Sequence, residues 1–199
     1  MIHTFSNGLL GSNTHVYATN GGNAMLVDCG VPVPEVTDFC EAHGLCVRLL
    51  VLTHGHYDHV GYLDEYREAF PAARVICHAQ ELCVLRDPAG NLSSIRAQGR
   101  RYDAGVETVH EGDVLSLARA DGTAVHATVW HTPGHTCGCM CIYLEEEGVM
   151  FTGDVLFAGG YGRVDLPYAS PADMVRSLDR LGALRGVTIY PGHGPAATV

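Results

Sequence analysis

The chain has 199 residues and a net charge of −10, with 47% apolar against 17% charged residues, so it reads as one compact soluble domain over residues 1–199. The acidic balance repels phosphate backbones and excludes nucleic acid as an expected partner. No apolar run nears the roughly 20 residues of a membrane span, and Met1-Ile2-His3-Thr4 does not open a signal peptide, so a cytoplasmic protein with reduced thiols is expected.

Strands are predicted at 15–18 and 24–28, joined by the turn chemistry of Gly21-Gly22-Asn23. A helix follows over 34–43, with Val36, Phe39 and Cys40 on one side and Gly44 as its stop. The near-continuous apolar run at 47–52 suits a buried strand. Past a His-rich stretch come a helix at 62–70, a strand at 74–77 and a short helix at 80–86. Residues 87–105 are polar and rich in glycine, and they are expected to form a loop over an active site. The second half predicts strands at 114–117, 124–130, 139–144, 149–151 and 187–190. Ser170-Pro171-Ala172-Asp173 opens a helix that carries Met174, Leu178 and Leu181 on one face. Sheets covered by helices follow from this order.

The chemistry concentrates in Thr53-His54-Gly55-His56-Tyr57-Asp58-His59, directly after the buried strand at 47–52. A loop leaving a strand end aims successive side chains in different directions, so His54 and His56 can face one metal while Asp58 and His59 face another. Neutral imidazole with carboxylate suits zinc, iron or manganese. Three later segments repeat the theme: Pro133-Gly134-His135, Thr152-Gly153-Asp154 and Pro191-Gly192-His193 each place one donor beyond a strand, beside a glycine. Seven donors for two metals leave open coordination positions, which favours catalysis over a closed structural zinc site. Cys137, Cys139 and Cys141 alternate as one strand face does and are expected to pack, since zinc sites usually space cysteines by about two to four residues. His3, His15, His43, His110 and His126 are expected to pack or face solvent. His78 and His131 lie nearer the motifs and could support a ligand.

His-x-His-x-Asp-His, followed by Gly-His, Gly-Asp and a last Gly-His, resembles the metallo-β-lactamase fold superfamily, and the resemblance spans essentially the whole chain. It implies an α+β fold, a four-layer αββα sandwich with metals at one edge. It implies that His54, His56 and His135 hold a first metal, that Asp58, His59 and His193 hold a second, and that Asp154 bridges them. Two divalent ions are implied, zinc first, with iron or manganese as the other choices. Thr132-Pro133-Gly134-His135-Thr136, Gly153-Asp154-Val155-Leu156-Phe157, Gly162-Arg163-Val164-Asp165-Leu166-Pro167 and Tyr190-Pro191-Gly192-His193-Gly194 are similar to the small bacterial glyoxalase II-like branch, the hydroxyacylglutathione hydrolase-like proteins. In that branch an aspartate matching Asp28 orients a ligand imidazole, a role in keeping with the usual partner of a metal-bound histidine. Arg163 and Asp165 are expected to pair and shape the turn after Asp154.

The resemblance implies hydrolysis of a small-molecule thioester by a hydroxide generated between two metals, with His54, His56, Asp58 and Asp154 at the catalytic centre. A thiolate leaves readily, its conjugate acid having a pKa of about 8.5, so no dedicated general acid is required. Full-length glyoxalase II carries a C-terminal helical extension that helps to bind glutathione. This sequence ends six residues after His193, so that extension is not expected, which weakens the case for glutathione itself as the thiol carrier. The alternative is a mononuclear iron oxidoreductase like the persulfide dioxygenases, which share the fold and the residues matching His135 and Asp154. Flavodiiron proteins fit less well, having Glu where this chain has His56.

Overall fold

Apolar residues alternate along the strands, and the alternation sorts them into three cores. The computed structural model describes residues 1–95 and 99–199. Strands β1 (Ile2–Phe5), β2 (Thr14–Ala18), β3 (Asn23–Val27), β4 (Cys46–Val51), β5 (Arg74–His78) and β6 (Val106–Val109) lie side by side in chain order as one sheet. Strands β7 (Val114–Ala118), β8 (Ala124–His131), β9 (Met140–Leu144), β10 (Val149–Gly153), β11 (Thr188–Pro191) and β12 (Ala197–Thr198) form the second sheet, again in chain order. Helices α1 (Val33–Ala42) and α3 (Leu63–Ala69) cover the first sheet, and α5 (Pro171–Leu181) covers the second. Two short helices, α2 (Tyr57–Val60) and α4 (Leu82–Arg86), sit beyond the ends of β4 and β5. The result is the expected α+β arrangement of four layers, helix–sheet–sheet–helix.

In β3, Ala24 and Leu26 face α1 and α3, while Met25 and Val27 face the other sheet. In β4 this parity breaks. Val47, Leu50 and Leu52 pack under the helices, whereas Leu49 and Val51 enter the central core. The cause is a bulge: Ala24 pairs with Val47 but Met25 pairs with Leu49, so exposed Arg48 is the extra residue. Without it the strand would send the wrong side chains inward on its approach to His54. In the second sheet Met140, Ile142 and Leu144 point to the central core, and Cys139 and Cys141 point to Met174 and Leu181 beneath α5. These two cysteines therefore pack, as their alternation implies. Cys137 lies before β9, and its Sγ sits 3.5 Å from that of Cys83.

Helix α5 starts as the sequence predicts, with the Ser170 hydroxyl accepting from the Asp173 N–H at 3.3 Å. The Ser177 hydroxyl then donates to the Pro133 carbonyl at 2.7 Å, pinning the turn that carries His135. Strands β3 to β6 run parallel, as do β10 and β11, so several strands discharge their C-terminal loops at shared edges. Two cross-links close those edges together: Met140 N–H to Thr53 O at 3.0 Å, and Asn13 N–H to Gly192 O at 2.7 Å.

Strands β1, β6 and β12 and helix α2 lie outside the elements the periodicity predicts. Each is four residues or fewer, too short for an alternation to register. The loop expected over 87–105 is partly ordered by the buried Asn91, whose amide donates to Leu85 O at 3.3 Å and Arg100 O at 2.9 Å. Part of that loop, residues 96–98, lies outside the described residues. Among the described residues no helix is long and apolar enough to cross a membrane.

Phe151 is fully buried between the sheets, so Phe151→Ala is expected to cost about 3–5 kcal/mol by urea unfolding with an unchanged m-value. His15 is also buried there, accepting from Thr4 Oγ1 (2.9 Å) and donating to Pro191 O (3.0 Å) in its neutral form. Burial pushes its pKa down to about 4. A lowered histidine contributes stability that is complete above the unfolded value of 6.5 and is lost as pH falls toward 4. Metal-free wild-type protein should thus lose about 2 kcal/mol more than His15→Gln between about pH 7 and about pH 5. Equal losses in denaturant titrations would refute this.

Candidate metal centre

Strand β4 is buried on both faces and ends at Val51, which delivers Thr53, His54 and His56 to the edge between the sheets. Helix α2 begins at once, with Asp58 and His59 in its single turn. The sequence suggests a loop here. A helical turn does the same work better, because it swings Asp58 and His59 away from His54 and His56 on a fixed frame. His135, Asp154 and His193 arrive from the ends of β8, β10 and β11. All seven residues predicted as donors are therefore brought together.

They form two groups. His54, His56 and His135 each offer one ring nitrogen within 4.8 Å of the others, and Asp58, His59 and His193 do likewise with one donor atom each. His56 Nδ1 lies 2.8 Å from His135 Nε2. In the second group His193 Nε2 stands 3.2 Å from Asp58 Oδ2 and 3.3 Å from His59 Nε2. Asp154 reaches both groups: Oδ1 is 3.4 Å from His59 Nε2, and Oδ2 is 3.5 Å from His135 Nε2 and 3.6 Å from His193 Nε2. Gly192 keeps this space open, since a Cβ there would lie 2.2 Å from Asp154 Oδ1.

Hydrogen bonds on the outer side of three of the five rings set which nitrogen faces inward. The His135 Nδ1–H donates to Arg163 O at 2.7 Å, and the His59 Nδ1–H donates to Asp28 Oδ2 at 2.8 Å. The His54 Nδ1–H donates to Thr53 Oγ1 at 3.1 Å. Each leaves Nε2 as the atom that faces inward. Asp28 can also be grouped with His54 and His59 as a donor. Its oxygens are already committed, accepting from His59, from Thr53 N–H at 2.8 Å and from Thr53 Oγ1 at 2.8 Å. Asp28 is therefore an orienting acceptor, held in left-handed backbone at φ 63°.

The electrostatics ask for a cation. Burial keeps His54 and His56 far below the usual imidazole range, so both rings are neutral with free lone pairs. Burial alone would lower His59 too, but Asp154, Asp58 and Asp28 drive it up to about 10. Burial raises Asp58, and the imidazoles of His59 and His193 outweigh it and hold the carboxyl well below its usual range. Positive charge is thus demanded at the point where the two groups meet. His54 Nε2 and Asp154 Oδ1 are buried with no hydrogen-bond partner. Orphaned donors of this kind, nitrogen and oxygen together, fit a pair of divalent metal ions.

One functional residue has no sequence signal. Glu81 is completely buried and accepts from Gly55 N–H (2.6 Å), Thr136 Oγ1 (2.7 Å) and Gly138 N–H (2.9 Å). It ties the His54–His56 segment to the His135 segment. Burial raises its carboxyl to about 7 against those three bonds. His78 and His131 stack on each other at 3.8 Å, and His131 Nε2 meets Cys137 O at 2.9 Å. They join the ends of β5 and β8 and make no described contact with a predicted donor. Arg163 and Asp165 form the expected ion pair, two contacts of 2.9 Å on the surface.

A cleft of about 460 Å³ opens over the two groups, with His56, Asp58, His135, Asp154 and His193 exposed to it. Comparison with known proteins agrees with this geometry. A probable metallo-hydrolase of Streptococcus pyogenes is 31% identical over all of this chain and 85% of its own length. A hydroxyacylglutathione hydrolase of Cupriavidus metallidurans is 34% identical over 91% of this chain, which spans 63% of that enzyme. The crystal structure of TTHA1623 in a di-iron-bound form superposes with a TM-score of 0.83 at 30% identity, covering 98% of this chain and 94% of that one. The family model of the metallo-beta-lactamase superfamily matches residues 7–193, and the chain belongs to that superfamily.

Proposed function

We propose that the protein is a two-metal hydrolase of small-molecule thioesters, with His54, His56 and His135 holding one ion, Asp58, His59 and His193 the other, and Asp154 between them. The observation that carries this reading is the pair of donor groups spanned by one carboxylate. Zinc suits the mixed nitrogen and oxygen set, and iron or manganese are the alternatives. The ions, when bound, supply water acidified toward about neutral pH and positive charge for the carbonyl oxygen. The name of the Cupriavidus metallidurans relative supports a thioester as the substrate class.

The remaining work belongs to the chain. Asp28 and the Arg163 carbonyl hold the His59 and His135 rings in one tautomer. Asp58 stays ionised and ready to bind, because His59 and His193 hold its charge. The cleft is of small-molecule size and admits the carbonyl to the floor formed by these side chains. Across the reaction the C–S bond breaks, the oxygen of water passes to the acyl carbon, one proton of that water ends on the departing thiolate, and the other is released as the product acid ionises to its carboxylate. Eight unpaired cysteines suit a reducing, cytoplasmic setting.

Metal analysis paired with assays on lactoylglutathione and on glutathione persulfide tests the reading. Two ions per chain with thioester turnover supports it. One iron with oxygen consumption would instead establish the persulfide dioxygenase-like alternative. His135→Ala should lower thioester turnover at least about 100-fold, and His193→Ala should reduce the bound metal from two ions to one. Asp28→Asn should weaken metal retention about 10- to 100-fold in a chelator competition, with the unfolding midpoint of the metal-free protein recorded in parallel.

A further inference from the structure

The walls of the cleft differ in kind from its floor. The floor is imidazole and carboxylate, whereas Leu10, Leu92, Ile95, Phe157, Tyr161 and Leu166 line the sides. Seven large hydrophobic side chains are exposed among the described residues, and three of them, Leu10 at 71%, Ile95 at 69% and Tyr161 at 55%, belong to this cleft. Exposed apolar groups gathered at one place mark a binding surface, while single ones need no explanation.

The backbone carries an independent sign. Leu10 and Leu92 both sit in the left-handed region, at φ 53° and φ 64°. A leucine side chain is disfavoured there, and glycine or asparagine is the usual occupant. Such strain persists only where the surroundings fix it, and it gathers at ligand clamps. Both sites are fixed. Around Leu10, Gly11 N–H donates to Gly8 O at 3.0 Å, and Leu9 N–H donates to Gly30 O at 2.9 Å. Around Leu92, Tyr57 N–H donates to Asn91 O at 2.7 Å, and Ser93 N–H donates to Asn91 Oδ1 at 2.9 Å. The second anchor ties Leu92 to the first residue of α2, beside Asp58. Charge points the same way. Arg163 is the cation lining the cleft among the described residues, and its guanidinium is paired with Asp165.

We infer that the cleft binds an apolar acyl group, so that the preferred substrate is a thioester of a hydrocarbon-chain acid. This rests on the thioester hydrolase reading. The apolar walls receive the acyl chain while the polar floor receives the carbonyl.

The test measures binding and turnover separately on the metal-loaded protein. Binding of acetate, butanoate, hexanoate and octanoate is followed by calorimetry, and turnover is followed with the N-acetylcysteamine thioesters of the same acids. Affinity and kcat/KM should each rise about three- to fourfold for every methylene buried. Leu10→Asn and Leu92→Asn, which suit left-handed backbone, should flatten that dependence while the melting temperature holds or rises. A chain-length dependence that is flat in binding, or unchanged in both variants, overturns the inference. So does a series in which enlarging the thiol, and not the acyl group, raises kcat/KM. Chain-length-dependent binding without turnover of any thioester leaves the apolar cleft standing and removes the thioester reading. Turnover that ignores chain length does the reverse.

Discussion

Carboxylates buried within a few ångströms of one another are tolerable only if positive charge lies between them. Asp28, Asp58 and Asp154 converge on His59 at 2.8, 3.6 and 3.4 Å, and the fold is organised around that convergence. Three carboxylates around one ring are why the His59 pKa stands so far above an ordinary imidazole. The strands supply the rigidity that keeps the groups from drifting apart to relieve repulsion. Sub-ångström placement matters here, and donors at the ends of buried strands are held more tightly than donors on free loops.

The donors were legible in the sequence because His54, His56, His135, Asp154 and His193 each follow a strand within a few residues, beside a glycine, and Asp58 and His59 continue the first of those segments. Their density at 54–59 makes the pattern hard to mistake, and the layer order follows from the resemblance those motifs carry. Glu81 was not legible. A glutamate in a short helical segment reads as solvated surface, and only the tertiary fold shows it buried between two donor segments. Leu10 and Leu92 were also invisible, because a leucine gives no sign of positive φ. The bulge at Arg48 escaped for a related reason. The apolar run at 47–52 reads as one buried strand whichever face each residue takes, so periodicity carries no record of the switch.

Buried polar cross-links do more here than any single donor. Glu81 fastens Gly55 to Thr136 and Gly138, Asn13 fastens β2 to the Pro191–Gly194 turn, and Ser12 Oγ donates to Asp58 O at 2.7 Å. Each joins a segment of the first sheet to the donors or to the second sheet. Bonds of this kind specify one arrangement over its near neighbours, with Asn13 Oδ1 alone among these side-chain groups left buried and without a hydrogen-bond partner.

The strand order has a consequence of its own. Each sheet is assembled from one half of the chain, in order, so each half gathers its strands through contacts close in sequence. The donors are divided the same way: His54, His56, Asp58 and His59 come from the first half, and His135, Asp154 and His193 from the second. Neither half owns all the members of either donor group. A metal ion held by either group would therefore act as a clasp between two locally assembled lobes, and its binding energy would add to the docking of one on the other. A centre built this way would report its own assembly, because both donor groups exist only once the two lobes have met.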